Sequence, residues 1–374
     1  MESIRDKTIL FDARHISNQY SGLGRYTFSI LVTLLSKSSL YKKLKIILQK
    51  NSDDLNTLSI KELVKTNSSV ELIEVKSKNF SLAHHIFLPL KFLFIKHDLY
   101  FYPHFDLPFF YFKKSIFVVH DLKYLKLENQ ISSFIKSKKK LFKNIIRFNI
   151  YKRNTTCICV SNSTRNDVKE IIKKPFHSKL KVVYEDSFIK DLSGLEIRPA
   201  IINLINQLTK FVFYIGDRRP HKNLKRTIDI INILNYELNF NCTFVIAGSE
   251  RNFDFNLEEH ILENKNVLAI GTVNDKELEL LYENMSALLY LSKYEGFGLP
   301  ILEAAKYNKK IITSNISSIP EVCPSSALML DINQNDYLLA KQILEYLKCE
   351  NIDLNHTEHL SKFSWSNSVD DIFR

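Results

Sequence analysis

Short apolar runs alternate along the chain with longer mixed segments, a pattern typical of buried parallel strands separated by helices. Five such runs occupy residues 8–11, 44–48, 99–102, 116–119 and 156–160. A second set occupies residues 211–215, 243–247, 267–270, 287–291 and 310–313. Because the pattern restarts, and because 374 residues exceed what one core supports, the sequence predicts two α/β domains, each with a doubly wound parallel sheet.

The charge balance is basic, with 52 lysines and arginines against 41 acidic residues, a formal net charge of +11. This favours an anionic partner, which could be nucleic acid, a membrane surface or a phosphorylated small molecule. Five scattered cysteines lack paired metal-ligand spacing. The first residues resemble neither a signal peptide nor a membrane span, so we expect a cytoplasmic protein.

A glycine-rich segment follows the run that ends at residue 291. We predict a loop over 292–299 and a helix that begins at Pro300, which places Glu295 in the loop and Glu303 in the first helical turn. Amides at a helix start favour phosphate, whereas carboxylates favour hydroxyls. A ligand with sugars on both sides of a diphosphate fits this division. The alternative is a structural strand-turn-helix in which Glu295 is solvated and Glu303 only interacts favourably with the helix dipole.

A basic loop follows the run at 211–215. It contains Arg218, Arg219, His221 and Lys222, between a predicted strand and a predicted helix. Such a cluster can neutralise a diphosphate without a metal ion. The alternative is a solvated basic loop with no ligand.

Two weaker motifs lie in the first half. Gly22 and Gly24 form a short glycine-rich loop after the first predicted strand. His120 and Asp121 lie just beyond the strand at 116–119, where they can face a ligand or simply form a local turn.

Taken in order, these motifs resemble a known family. They read SGLGRY, VVHDL, VSNSTRNDV, YIGDRRPHKNL, VIAG and YEGFGLPILEA. The set is similar to the large retaining GT-B glycosyltransferase family, typified by bacterial mannosyl- and rhamnosyl-type group 1 enzymes. Glu295 and Glu303 make the E-x7-E motif of that family, and the resemblance covers nearly the whole chain.

The resemblance implies a GT-B fold, with two Rossmann-like domains facing across a cleft. The acceptor would bind to an N-terminal domain, residues 1–190, and the nucleotide sugar to a C-terminal domain, residues 209–355. A closing helix within residues 356–374 would cross back towards the first domain.

The resemblance also implies roles for individual residues. In the second domain, Glu303 would bind the ribose hydroxyls and Glu295 the donor sugar, while the diphosphate would be held by the side chains of Arg218 and Lys222 and by the backbone of Gly296, Phe297 and Gly298. In the first domain, Gly22 and Gly24 would lie near the phosphates and His120 near the reacting centre.

Two departures from the family pattern affect these assignments. Asp217 stands where the family often has an arginine, which leaves open whether Arg218 or Arg219 contacts the diphosphate. Tyr307 and Asn308 replace the usual Cys-Gly after the helix, and asparagine tolerates the left-handed conformation that ends it.

The implied reaction moves a hexose from a nucleotide diphosphate sugar, with GDP-mannose as one candidate, to a hydroxyl of a lipid-linked surface glycan, without a metal or cofactor. A nucleotide-sugar epimerase of the same fold is one alternative. A basic nucleic-acid-binding protein is another, although the sequence contains no recognised nucleic-acid motif, so we expect no nucleic-acid partner.

A basic stretch is independent of the family. Residues 129–166 contain no acidic side chain, and Lys136, Lys140, Lys143 and Arg147 follow helical spacing. Upstream, residues 87–112 are rich in aromatic residues and leucine. Both segments suit a surface that contacts anionic lipid. The alternative is an ordinary packed helix with a solvated basic face.

Overall fold

The computed structural model describes residues 4–17, 22–126, 133–187, 195–208, 210–249 and 255–374, with the backbone alone over 133–138. The chain forms two compact units. The first contains Met1–Phe188 together with Phe363–Arg374, and the second contains Ile189–Lys362.

The first unit is built on a seven-stranded, fully parallel sheet in the order β3-β2-β1-β4-β5-β6-β7. Its strands are β1 (Thr8–Asp12), β2 (Lys43–Gln49), β3 (Val70–Val75), β4 (Leu99–Tyr102), β5 (Ser115–Val119), β6 (Thr155–Cys159) and β7 (Leu180–Val182). Its helices within residues 1–188 are α1 (Gly22–Ser36), α2 (Leu55–Leu63), α3 (Leu82–His85), α4 (Phe87–Leu93), α5 (Lys123–Lys126), α6 (Ser133–Tyr151) and α7 (Asn162–Ile171).

The second unit has a six-stranded parallel sheet in the order β10-β9-β8-β11-β12-β13. The strands are β8 (Phe211–Ile215), β9 (Thr243–Ala247), β10 (Val267–Gly271), β11 (Ala287–Tyr290), β12 (Lys310–Ser314) and β13 (Leu328–Leu330). The helices are α8 (Pro199–Gln207), α9 (Leu224–Asn232), α10 (Phe255–Glu263), α11 (Asp275–Asn284), α12 (Leu299–Lys306), α13 (Ile319–Val322), α14 (Asp336–Lys348) and α15 (Thr357–Leu360).

All ten predicted strands are confirmed. The central ones are mostly buried on both faces as in other parallel sheets, whereas β10, at the edge of the second sheet, is partly exposed. Three strands were not predicted, and each lies at a sheet edge. β3 alternates glutamates with apolar residues and is half-exposed, while β7 and β13 have three residues each. Edge strands carry a weaker hydrophobic signal than central ones because one side lacks a neighbour.

The order of strands reverses once in each sheet. In the first sheet β1 lies between β2 and β4, and in the second sheet β8 lies between β9 and β11. At such a switch point the loops that leave the two neighbouring strands run to opposite sides, and this opens a crevice at their carboxyl ends. The fold therefore offers one ligand crevice in each unit.

The end of the chain, where we expected a closing helix within residues 356–374, forms two helices. It contains α15, which contacts α12 in the second unit, and a separate helix, α16 (Trp365–Phe373), which packs on α1 in the first unit. The indole of Trp365 donates to the carbonyl of Ser187 at 2.8 Å, and its ring meets Tyr26 edge-on. These contacts fix α16 on the first unit.

One lysine is buried at the end of α6. Lys152 is 6% exposed, its Nζ donates to the carbonyl of Pro108 at 2.9 Å, and it lies over the rings of Phe112 and Phe148. Burial lowers the pKa of its ammonium to about 7. In the unfolded chain the pKa of a lysine is about 10.4.

This difference predicts a pH-dependent contribution to stability. Between pH 7 and about 10.4 the unfolded state binds more protons at Lys152 than the folded state does, so the free energy of unfolding rises with pH there. In Lys152→Met this dependence is absent. As the pH falls from 10 to 7, the unfolding free energy of the variant, measured by denaturant titration, should therefore improve relative to the wild type. Lys140→Met, an exposed position on the same helix, should show no such trend, and an equal trend in both variants would contradict the assignment.

Candidate active site

The crevice of the second unit lies where β8 and β11 end side by side. The loop after β8 passes through the short helical turn Pro220–Lys222, and the loop after β11 carries Glu295. The two loops meet where the main-chain amide of Lys293 donates to the carbonyl of His221 at 2.7 Å. The switch point therefore brings together two of the predicted segments.

Lys222 and Glu295 form a buried ion pair in this crevice. Nζ of Lys222 lies 2.8 Å from Oε1 of Glu295, and each side chain is 11% exposed. Nζ also donates to the hydroxyl of Tyr290 at 2.7 Å and lies 5.1 Å from the centre of that ring. Tyr214 stacks on Tyr290 from β8, so the lysine is enclosed by aromatic rings.

The two charges stabilise each other. Burial raises the pKa of Glu295, but the charge and the hydrogen bond of Lys222 outweigh it and hold that pKa below its ordinary value. Burial lowers the pKa of Lys222, but the charge of Glu295 outweighs it and holds that pKa above its ordinary value. The stability from Glu295 is lost only as the pH falls through its lowered pKa, and that from Lys222 only as the pH rises through its raised pKa. The pair is therefore charged across the neutral range.

Serine hydroxyls that the sequence motifs did not single out hold the Glu295 loop. Oγ of Ser318 donates to the carbonyls of Glu295 and Phe297 at 3.0 and 2.8 Å, and Oγ of Ser317 accepts from the amide of Glu295 at 2.9 Å. Ser314 donates to the carbonyl of Ser292 at 2.6 Å. The signal was the run T-S-N-I-S-S after the neighbouring strand β12, whose hydroxyls reach the loop because β11 and β12 pair in parallel.

Gly298 begins the helix that follows this loop. Its φ of +117° lies in the region that L-residues rarely adopt, and a Cβ there would come within 3.2 Å of Cδ1 of Ile301. Phe297 before it is buried, and Gly296 is partly exposed. The loop thus presents backbone beside the start of α12, as the sequence predicted.

Glu303 lies one residue further into α12 than predicted. The helix begins at Leu299 rather than Pro300, so Glu303 is its fifth residue and lies just beyond the first turn. It is buried, and its Oε2 accepts from the hydroxyl of Tyr282 on α11 at 2.7 Å. The helix ends at Lys306, and Asn308 shortly after it has the left-handed conformation with φ of +51°, which confirms the predicted turn.

Acidic side chains hold both arginines of the basic loop. Arg218 is 3% exposed and binds the carboxylate of Glu258 on α10. Arg219 binds Asp217, whose carboxylate also accepts from the amide of Arg219 at 3.3 Å. Asp217, the departure from the family pattern, thus engages Arg219 and leaves Arg218 in the buried position.

The site residues predicted in the first domain belong to the first unit. Gly22 and Gly24 are in the first turn of α1 rather than in a loop, and Ser21 of that motif lies outside the described residues. The His120 ring is held on both sides: Nε2 donates to the carbonyl of Pro103 at 2.9 Å, and Nδ1 lies 3.1 Å from Oε1 of Glu185.

Comparisons with known proteins agree with this geometry. Residues 201–363 match the family described as Glycosyl transferases group 1. Solved structures match nearly the whole chain. One is Anabaena HepE in complex with UDP and glucose, with a TM-score of 0.67, 16% identity and 97% of both chains covered. Another is WaaG, a glycosyltransferase involved in lipopolysaccharide biosynthesis, with a TM-score of 0.64, 15% identity, and coverage of 96% of this chain and 94% of WaaG. At these identities the structures show the fold, which is GT-B.

Curated relatives match over part of their length. O-antigen chain mannosyltransferase B of Escherichia coli is 30% identical over 164 residues, which are 42% of this chain and 43% of the relative. The capsular polysaccharide glycosyltransferase CapH of Staphylococcus aureus is 29% identical over 200 residues, about half of each chain. Across these relatives, this chain spans about half of their length or less. Residues 201–363, which include the crevice between β8 and β11, match the group 1 glycosyl transferases, and the predicted resemblance is confirmed there.

The buried pair makes a prediction about stability. Glu295→Gln leaves the Lys222 ammonium buried without a countercharge, and loss of one partner of a buried pair costs about 3–5 kcal/mol. The double variant Lys222→Met with Glu295→Gln should recover part of this loss, because no charge then remains buried. Thermal and denaturant unfolding of the single and double variants measure the coupling. The exposed Glu263→Gln serves as control, and an additive double variant would show that the pair contributes nothing.

Proposed function

We propose that the protein is a retaining glycosyltransferase, which transfers a hexose from a nucleotide diphosphate sugar to a hydroxyl of a lipid-linked precursor of a surface glycan. The observation that carries the proposal is the Lys222–Glu295 pair at the switch point of the second sheet. The named activities of the relatives in O-antigen and capsular polysaccharide synthesis support it. Retention follows from the family resemblance.

The chemistry follows from where charge develops. As the glycosidic bond to the diphosphate breaks, negative charge accumulates on the departing phosphate, and preorganised positive groups stabilise that charge. Lys222 supplies an ammonium in a buried, aromatic setting, and the amides at the start of α12 supply partial positive charge. Glu295, held beside Lys222, accepts hydrogen bonds from hydroxyls of the donor sugar.

Arg218 supplies a second cation when the donor binds. Its guanidinium already has a carboxylate partner, Glu258, and a diphosphate offers the same bidentate acceptor geometry. Donor binding exchanges one anion for the other, while Arg219 stays with Asp217. With two cations from the chain, we propose that transfer proceeds without a divalent metal. The leaving phosphate helps to deprotonate the acceptor hydroxyl, as the family resemblance implies.

Replacement of Glu303 and replacement of Glu295 should have different effects, the first on donor binding and the second on turnover. Glu303 contacts the ribose in ground and transition states alike, so Glu303→Ala should weaken donor binding roughly ten- to a hundredfold. Glu295 lies at the reacting sugar, where a misplacement of about 1 Å costs roughly a hundredfold, so Glu295→Gln should mainly lower turnover. The measurements are calorimetric titration with GDP-mannose and UDP-glucose, and donor turnover with EDTA present, below the melting transition of each variant.

The same measurements discriminate between the candidate reactions. Near-wild-type donor binding and turnover in both variants would make the E-x7-E pair structural and contradict the proposal. Free sugar released without acceptor at the full rate would indicate the epimerase. Loss of activity in EDTA that Mg²⁺ restores would contradict the metal-independent mechanism.

We further propose that the first unit contacts the membrane through an exposed apolar patch. We define the apolar patch by its exposed side chains on and directly after α4, in the loop between β4 and β5, and on α6, which are Phe87, Leu90, Leu93, Phe94, Phe110, Phe112 and Phe148. Phe94 is 91% exposed. Contiguous apolar surface of this kind marks an interaction site. Among the described residues, no helix is long and apolar enough to cross a bilayer.

The elements that carry the patch are continuous. A groove lined by Leu93, Phe110 and Phe112 joins α4 to the loop, and Lys152 lies over both Phe112 and Phe148. Basic residues surround the patch, namely Lys113, Lys114, Lys139, Lys140, Lys143, Arg147 and Arg153, while the side chain of Lys136 lies outside the described residues. On α6, Ile146 and Ile150 face the core but Leu141 and Phe148 are exposed, so the helix packs by one face only.

An apolar patch with a basic rim should bind anionic bilayers both through burial of apolar side chains and through charge attraction. In vesicle sedimentation, the wild type should bind phosphatidylglycerol-containing vesicles at low salt and be partly released at high salt, because salt screens the charge attraction. Phe87→Ser with Phe94→Ser should reduce binding at both salt concentrations, whereas Leu262→Ser, an exposed control in the second unit, should not. Equal binding to neutral vesicles, or none to either, would contradict the idea.

A further inference from the structure

A second polar cluster lies at the switch point of the first sheet, outside the groups that the proposed reaction uses. β1 and β4 are neighbours there, with Ile9 opposite Leu99. The chain leaving β1 carries Arg14 and His15, and the chain leaving β4 carries His104 and Asp106. By the rule that places ligands at such reversals, this cluster occupies the ligand crevice of the first unit.

The base of the cluster is a fully buried ion pair. NH2 of Arg14 lies 2.6 Å from Oδ2 of Asp12, and the hydroxyl of Tyr100 donates to the same oxygen at 2.7 Å. NH1 of Arg14 donates to the carbonyl of Ser77 at 2.9 Å. Arg14 therefore ties the loop after β3 to the end of β1.

Three groups here could suggest a metal site. Oδ2 of Asp106 and ring nitrogens of His84 and His85 lie within 4.8 Å of one another. However, Nε2 of His84 donates to the carbonyl of Asp106 at 2.8 Å, and its Nδ1 accepts from Arg14 at 3.0 Å. Neither nitrogen has a lone pair to offer, and the guanidinium repels a cation, so the hydrogen bonds of His84 argue against metal binding.

The upper part of the cluster is a directed chain of hydrogen bonds. Asn79 donates to Nδ1 of His15 at 3.2 Å, so Nε2 of His15 donates to the hydroxyl of Tyr102 at 3.2 Å. Tyr102 in turn donates to Oδ1 of Asp106 at 2.9 Å, and Nδ1 of His104 lies 2.8 Å from the same oxygen. Burial, and then the neighbouring His104, lower the pKa of His15 to about 3, so His15 is neutral.

This chain leaves one nitrogen open. With Nδ1 of His104 directed at Asp106, Nε2 is the ring nitrogen for which the described residues provide no hydrogen-bond partner. The side chain is 14% exposed. Oδ2 of Asp106 is a further buried acceptor without a hydrogen-bond partner among the described residues, which a ligand hydroxyl or a water would satisfy.

His120 fixes the loop that carries this ring. Its Nε2 donates to the carbonyl of Pro103, the residue before His104. The ring of His120 is itself held by Glu185 and packed edge-on against Tyr26 at 4.6 Å. The predicted His120 thus positions His104 in this structure.

An exposed aromatic ring lies beside the ring of His104. Phe80 is 59% exposed, and its ring centre lies 5.0 Å from that of His104 and 6.2 Å from that of His15. Its φ of +61° is strained for a bulky L-residue, and such strain persists where the surroundings enforce it. An exposed ring beside directed hydrogen-bonding groups matches a pyranose, which has an apolar C–H face and a rim of hydroxyls.

We propose that Phe80 and His104 form the subsite for the terminal pyranose of the acceptor, with Phe80 stacked on its C–H face and Nε2 of His104 hydrogen-bonded to one of its hydroxyls. This inference rests on the proposed function and assigns it a specificity site in the first unit. Asp106, Tyr102 and His120 are positioning residues that hold the ring of His104 in place.

Saturation-transfer NMR tests the subsite directly. With the full chain and the methyl α-pyranosides of mannose, glucose and rhamnose as probes, irradiation of aromatic protons should transfer to one face of at least one sugar. Phe80→Ala should abolish the transfer, and His104→Ala should weaken the apparent Kd roughly fivefold or more, the effect of one hydrogen bond. The matched controls Phe94→Ala and His177→Ala, also in the first unit, should leave both unchanged.

A thermal-shift titration of the same samples with GDP-mannose and UDP-glucose separates this inference from the proposed function. Neither Phe80→Ala nor His104→Ala should alter the shift, since the donor crevice lies in the second unit. No transfer to any of the three pyranosides, or transfer that persists in Phe80→Ala, overturns the subsite. Dependence on Phe80 and His104 together with no nucleotide-sugar shift in the wild type supports the subsite and contradicts the proposed function.

Discussion

Burial of the Lys222–Glu295 pair is the constraint on which the organisation of the second unit depends. Two charges taken out of water are tolerated only when they meet each other and satisfy their remaining hydrogen bonds. Here that requirement ties the loop after β8 to the loop after β11, and it recruits Tyr290 and the serines that follow β12. The same constraint keeps a cation buried and charged at the switch point of the sheet.

The two units place different polar groups at the equivalent point of their sheets. Each sheet reverses its strand order once, and each reversal gathers polar side chains at the carboxyl ends of two adjacent strands. In the second unit the gathered groups are charged and surround a glycine-rich turn. In the first unit the ion pair of Asp12 and Arg14 is buried at the base, and the groups above it are imidazoles, a phenol and an aromatic ring. Charged groups suit a diphosphate, whereas neutral directed groups beside an aromatic ring suit a sugar.

The basic character of the protein is distributed unevenly among these features. In the candidate active site each cation has a carboxylate partner, as Arg218 has Glu258 and Arg219 has Asp217. The lysines around the apolar patch follow a stretch of α6 and its neighbours that contains no acidic residue. Net charge therefore says little about the crevice of the second unit, and part of its excess comes from the acid-free stretch that includes the exposed Phe148.

The sequence by itself determined the features that depend on local pattern. Apolar runs located the central strands of both sheets and the edge strand β10, and glycine, proline and asparagine located the turns at Gly298 and Asn308. The ordered motifs also identified Lys222 and Glu295 as members of one site. Tertiary structure alone decided which groups pair, because residues 73 positions apart, such as these two, meet only through the order of strands. For the same reason the sequence could not show that Glu258 binds Arg218 or that hydroxyls after β12 hold the Glu295 loop. Nor could it show that both ring nitrogens of His120 have partners, whereas Nε2 of His104 has none among the described residues.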